Sequence, residues 1–369
     1  MHHRHRSPPN LATWLAALAI VAVSCAAAVA APRTIPVSAG PLNRLSNVNR
    51  QADALAFFPS LITIQVGDSV QWHLNGFHTV TFPGTMRPYP FAVSTAATQP
   101  LTNDAAGKPF WWSGTAPQVI ISPLSVLPQG RPGVTSGAQI HSSGLLRIFQ
   151  AGRSRPAPFT LTFRKVGVYR YRCAVHPGMR GVIRVVQRTA RVPTLTRLAQ
   201  RAAAQFANVV AQARAIAKRN PKKPARVWVG AGTRSGAEVT AFFPSRVTVS
   251  RGTTVTFANN DLTDFHTVTF GPPAVRSQIE QTFVAPQGTP PLPVFNPLGF
   301  FSSEAPASVV PVAYDGTNHG NGYLNAGILA AKGTRGPNPS VYRITFTKPG
   351  VYRYECVIHP GMDGTIVVT

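Results

Sequence analysis

Residues 167–179 (GVYRYRCAVHPGM) return almost unchanged at residues 350–362 (GVYRYECVIHPGM), and this duplication constrains the fold more than any other feature. The likeness extends upstream in the same order, AFFPS at 56–60 matching 241–245 and FHTVTF at 77–82 matching 265–270. VSAG at 37–40 faces VGAG at 229–232, so the offset stays near 185 to 190 residues. One folding unit is built twice, from about 32 to 188 and from about 225 to 369.

Within each unit apolar residues alternate, the period of half-buried strands. Ile62, Ile64 and Val66, then Val70, Trp72 and Leu74, then Phe159, Leu161 and Phe163 mark strands in the first unit. Val247 and Val249, Val255 and Phe257, and Tyr342, Ile344 and Phe346 mark them in the second. Gly67, Gly167 and Gly252 punctuate the runs. The expected class is all-β: two tandem antiparallel Greek-key β-sandwiches.

The stretch 189–224 differs in composition. Leu198, Ala202, Phe206, Val209, Ala213 and Ile216 recur at helical spacing, Thr194 or Thr196 can cap the start, and Asn220-Pro221 stops the run. Lys218 and Arg219 suit the negative end of the helix dipole. This predicts a basic helical linker whose apolar face packs on a domain, the alternative being a docking surface for another protein.

The start of the chain reads as a secretory signal over residues 1–30. Arg4 and Arg6 precede an apolar run from Leu11, and Ala28-Val29-Ala30 offers a small-residue cleavage site. An uncleaved membrane anchor or a lipid on Cys25 is the lesser alternative. The expected location is secreted, periplasmic or at the cell surface. Formal charge is +25, from 36 basic and 11 acidic residues, and losing Arg4 and Arg6 with the leader leaves about +23. An anionic partner is implied: an acidic redox protein or an anionic envelope surface. Nucleic acid does not fit an exported chain with scattered basic residues and no recognition motif.

Of three cysteines, Cys25 lies in the leader, while Cys173 and Cys356 occupy equivalent places, which disfavours a disulfide framework and favours one chemical task done twice. Each repeat supplies an early histidine and a late Cys-x-x-His-x-x-Met: His78, Cys173, His176, Met179 and His266, Cys356, His359, Met362. A thiolate with two imidazoles forms a strongly bonding trigonal set and a thioether adds a weak axial contact, the preference of electron-transfer copper, whereas zinc rarely takes methionine. Two copper ions cycling between Cu(II) and Cu(I) are therefore the expected cofactors. Pro177 with Gly178, and Pro360 with Gly361, encode tight loops between the ligands.

These residues resemble the plastocyanin/azurin family of cupredoxins, and the Cys-x-x-His-x-x-Met spacing is similar to the amicyanin branch. The resemblance covers both repeats apart from long inserts. It implies antiparallel sandwiches with copper at one end, and a solvent-edge imidazole, His176 or His359, serving as electron port within an apolar docking patch. Two departures stand out. Family members carry asparagine after the first histidine, tying the ligand loops together, where this chain has Thr79 and Thr267. The 95 positions from His78 to Cys173 and the 90 from His266 to Cys356 hold extra material. Both inserts carry an aromatic pair, Trp111-Trp112 ahead of Ala116-Pro117 and Phe300-Phe301 ahead of Ala305-Pro306, which reads as core.

Three functional classes remain. An electron carrier fits four filled ligand positions with no place for substrate, and no catalytic residue is then expected. A two-domain copper enzyme, such as a nitrite reductase or a multicopper oxidase, needs further histidines. Only His73, His141 and His319 remain beyond the leader, and the neighbours of the cysteines are Arg172 and Ala174, and Glu355 and Val357. An extracellular copper-binding or storage module is the third class. The structural alternative is a buried Cys and Met beside incidental histidines.

Overall fold

The computed structural model describes residues 31–45, 51–83, 90–130, 133–135, 140–145, 157–176, 178–289, 292–305, 310–332 and 338–369. The leader with Cys25, and also Pro177 and Pro306, fall outside them.

The alternating apolar residues fold as the pattern predicts. In the first unit one sheet runs Phe57–Phe58, Thr34–Ala39, Ser69–Leu74, Phe159–Phe163 and Gly133–Thr135. The facing sheet runs His141–Ser142, Thr81–Phe82, Gly167–Arg172, Arg180–Val186 and Leu61–Gln65. The second unit repeats the plan, with Arg226–Gly232, Thr254–Asn260 and Val341–Phe346 central in one sheet and Asp363–Val368, Gly350–Glu355 and Thr269–Phe270 in the other. Most ladders among the described residues are antiparallel, and six are parallel, among them Thr34–Ala39 with Ser69–Leu74, Arg180–Val186 with Leu61–Gln65, and Arg226–Gly232 with Thr254–Asn260. The fold is all-β: two sandwiches with a few helices, the longest of them Leu195–Ile216.

The duplication persists in the packing. Tyr171 lies 4.6 Å from Phe57, 5.1 Å from Phe82 and 5.3 Å from Trp72, ring centre to ring centre. Tyr354 lies 4.6 Å from Phe242, 5.0 Å from Phe270 and 5.2 Å from Phe257. Each cluster is buried between its two sheets near the end of the strand that leads to the cysteine, so the core that stabilises each sandwich also fixes the strand end carrying the thiol.

Residues 32–369 form a single compact unit, joined in three ways. The strand Ala52–Ala54, from the first repeat, adds to the second sandwich beside Ala237–Phe243, with Asp53 opposite Glu238. The helix Leu195–Ile216 begins at Thr194, whose side chain accepts a hydrogen bond from the Arg197 N–H, so the first of the two predicted caps is the one used. Its Ala202, Val209, Ala213 and Ile216 bury against Ala54 and Phe58 of the first repeat and Ala231, Val239 and Phe243 of the second. The linker therefore clamps both sandwiches with its apolar face.

The third junction is made by the inserts. Ala92–Thr98 and Pro117–Ile121 from the first repeat join Leu292–Phe295 and Val284–Gln287 from the second in one four-stranded sheet. The aromatic pairs meet here, Trp111 and Trp112 lying 5.7 and 6.2 Å from Phe301, and Trp112 is fully buried. The predicted core role holds, but the core is shared between repeats. His319 closes the junction, its Nδ1 3.1 Å from Asp104 Oδ2 and its Nε2 3.1 Å from Glu304 Oε1.

Candidate metal centres

Each strand Gly167–Arg172 and Gly350–Glu355 ends one residue before a cysteine, and the chain turns straight back into the antiparallel neighbour. The Cys173 N–H donates to the Met179 carbonyl (3.0 Å) and the Met179 N–H to the His176 carbonyl (3.0 Å). Cys356, His359 and Met362 repeat the pattern at 3.0 and 3.1 Å. Such loops bring Cys and His of each motif together, while His78 and His266 complete each cluster.

The donor atoms converge in both repeats. His78 Nδ1 is 3.1 Å from His176 Nδ1, and Cys173 Sγ is 3.6 Å from His176 Nδ1. His266 Nδ1 is 3.1 Å from His359 Nδ1, and Cys356 Sγ is 3.5 Å from His359 Nδ1 and 3.9 Å from His266 Nδ1. Two imidazole nitrogens at ~2.0 Å and a thiolate at ~2.3 Å from a common divalent ion stand ~3.5 Å (N–N) and ~3.7 Å (S–N) apart in a trigonal plane. The separations in both clusters fit a single first-row ion, and the soft sulfur suits copper. Met179 and Met362 are buried at the same loops.

Electrostatics prepares both thiols. Burial pushes the Cys173 thiol up, but the imidazoles of His176 and His78 outweigh it and hold it well below its ordinary value. Cys356 is likewise held well below by His266 and His359 against its burial. Each sulfur also accepts a backbone N–H, from Thr79 and from Thr267, both at 3.3 Å.

Thr79 and Thr267 supply the tie between ligand loops. Thr79 Oγ1 accepts from the Ala174 N–H at 2.8 Å and Thr267 Oγ1 from the Val357 N–H at 2.9 Å. The hydroxyl of the residue after the first histidine thus holds the residue after the cysteine, twice.

The expected outward-facing ports turn inward. His176 and His359 line one interdomain cavity of about 320 Å³, together with Asp53, Glu238 and Asp264 and a ring of phenylalanines. The loop of each repeat rests on the other: a Cβ on Gly178 would collide with Thr263, and the Gln51 amide donates to the Gly361 carbonyl. The apolar surrounds that the resemblance assigns to a partner protein face each other, although the His359 side chain keeps 21% exposure.

Sequence reading missed several contributors. Gly40 and Gly230 have φ of +99° and +66°, and a Cβ on either would collide with the ring of His78 or His266. Gly230, rather than Gly232, does the work of Gly40, because the ladder slips between Val229 and Ala231. Around the second cluster, Asp264 Oδ2 is 3.0 Å from His359 Nε2 and Asp261 Oδ2 is 3.9 Å from His266 Nε2. Burial opposes a charged imidazole, yet Asp261 raises His266 to about 9, and Asp264 lifts His359 well above its usual value. Glu238 is pushed well above the usual carboxylate range by burial and then by Asp261 and Asp264. The signal available was their placement, three acids within 27 residues of a chain that holds 11 in all.

No family model and no curated protein matches the chain. Among solved structures it is similar to oxidised plastocyanin of Dryopteris crassirhizoma, 17% identical over 39% of this chain and 99% of that one, with a TM-score of 0.20. Amicyanin from Paracoccus versutus is 14% identical over 42% of this chain and 81% of that one, TM-score 0.18. A purple cupredoxin from Nitrosopumilus maritimus is 15% identical over 39% and 98%, TM-score 0.19. With scores this low the likenesses carry no argument, and the all-β fold with its two clusters of His, Cys and His stands on the chain's own sheets and side chains. Among the described residues, no helix is long and apolar enough to cross a membrane.

Proposed function

We propose that the chain is an exported blue copper protein carrying single electrons through two mononuclear centres. His78, Cys173, His176 and Met179 hold one ion, and His266, Cys356, His359 and Met362 the other. The observation that supports this most is the twofold convergence of a buried thiol and two Nδ1 atoms at spacings suited to a single ion. Copper bound there supplies a one-electron Cu(II)/Cu(I) couple.

The protein's own part is rigidity. Closed loops, buried ligands and N–H groups on the sulfurs keep the donors in place in both oxidation states, so little reorganisation accompanies each transfer. His176 and His359 bring the two ligand sets to one cavity, which supports electron exchange within the molecule. His359, with 21% exposure, is the better contact for an external partner. The net charge favours an acidic partner.

A nitrite reductase or a multicopper oxidase would need imidazoles for a further copper. The histidines among the described residues that line the cavity are His78, His176 and His359, all assigned to the two centres. His319 is held by Asp104 and Glu304 at the insert junction.

The test is Cys173→Ser in copper-loaded protein. One of two visible absorption bands should vanish while the other stays reversibly reducible. Loss of neither band refutes the assignment, and sustained nitrite turnover by the wild type would restore the enzyme reading.

A further inference from the structure

The two ligand sets match, but the charges around them do not. Beside Cys173 stands Arg172, opposite Arg180 on the neighbouring strand; beside Cys356 stands Glu355, opposite Asp363. Before His78 the chain reads Leu74-Asn75-Gly76, whereas before His266 it reads Asp261-Leu262-Thr263-Asp264.

The imidazoles differ accordingly. Neither His78 Nε2 nor His266 Nε2 has a hydrogen-bond partner, and the two differ in the charge they face: His78 Nε2 abuts Gly40 and Gly76. His266 Nε2 faces the fully buried Asp261 at 3.9 Å, and His359 Nε2 meets the buried Asp264 at 3.0 Å. Asp261 is fixed by the Thr263 N–H (2.8 Å) and hydroxyl (2.9 Å), and Asp264 by the Phe265 N–H (2.7 Å). These carboxylates are built in place. Glu355 is partly offset by Arg276 at 2.9 Å, so the contrast falls to Asp261 and to Asp264, which touches His359 directly and faces His176 only across the cavity.

A fixed negative charge in a low-dielectric interior stabilises the more positive oxidation state of a nearby ion and lowers its reduction potential. We propose that Asp261 and Asp264 set the second centre at a lower potential than the first, so that the electron moves from the Cys356 centre to the Cys173 centre across the shared cavity. This rests on the two-centre reading above. It makes the chain directional: the more exposed His359 receives the electron, and the more buried His176 belongs to the centre where it comes to rest.

The test is a spectroelectrochemical titration of the copper-loaded full chain, with Cys356→Ser and Cys173→Ser used to assign each wave. The potential of the Cys173 centre should exceed that of the Cys356 centre by at least a tenfold preference in electron occupancy, which is 59 mV for a one-electron couple. Asp261→Asn with Asp264→Asn keeps the hydrogen-bond acceptors and removes the charges. It should raise the lower wave at least threefold more, in equilibrium constant, than the upper. The Asp-to-Asn measurement on the otherwise intact chain does not depend on the cysteine variants folding. A smaller separation, the opposite order, or equal movement of both waves overturns the proposal. Two reversible waves that coincide would sink the directionality and leave the two-centre reading intact, whereas no reversible wave sinks the two-centre reading itself.

Discussion

Replacing Thr267 by valine tests the threonine tie with almost no change of shape. The substitution removes one hydroxyl that accepts from the Val357 N–H at 2.9 Å and lies 3.2 Å from Thr269 Oγ1. Val357 and Thr267 are both fully buried, so the orphaned N–H finds no water. Leaving a buried donor unsatisfied costs about 1–3 kcal/mol, and the upper half of that range applies here. Thr79→Val removes the matching bond to Ala174, which is half-buried, so that N–H is partly hydrated and the cost falls to about 1 kcal/mol. Urea unfolding of the metal-free protein, followed by fluorescence, should show a lower midpoint for both variants with unchanged slope and the larger loss for Thr267→Val. Equal losses, or a Thr267→Val loss under about 0.5 kcal/mol, would show that the hydroxyl is not what holds the two ligand loops together.

Gly230→Ala forces a Cβ into the His266 ring at a backbone φ of +66°, so the variant should take up copper at the first centre alone, read as half the wild-type metal content. His319 is raised above 6.5 by Glu304 first and Asp104 next. A raised histidine stabilises the fold fully below its unfolded value and loses that contribution as pH climbs through the folded one. The denaturation midpoint of the wild type should therefore fall more between mildly acid and alkaline pH than that of His319→Gln, and identical pH profiles would contradict the clasp.

Much of this was legible in the sequence because repeats and alternation are local signals. The duplicated motif located both cysteines, the period of two located the strands, and the spacing from Leu198 to Ile216 located the helix, while the choice of Thr194 over Thr196 as its cap came only with the structure. The pairing between repeats was hidden. Ala52–Ala54 is three residues long with an exposed-type acid in its middle, and nothing local says that it crosses to the second sandwich. The inserts revealed their kinship through aromatic pairs, but which edge meets which is a tertiary fact, so their common sheet could not be read. For the same reason the ports were expected at solvent. Thr79 and Thr267 look like lost ties by residue type and become ties through a hydroxyl that only the closed loop brings within reach.

Copper stoichiometry read together with paramagnetic resonance probes the two-centre claim head on. Metal-free chain titrated with Cu(II) should saturate at two ions per molecule, turn intensely coloured, and give two signals with the narrow hyperfine splitting of thiolate-bound copper. Saturation at one ion or none, or a colourless oxidised protein, would contradict the account.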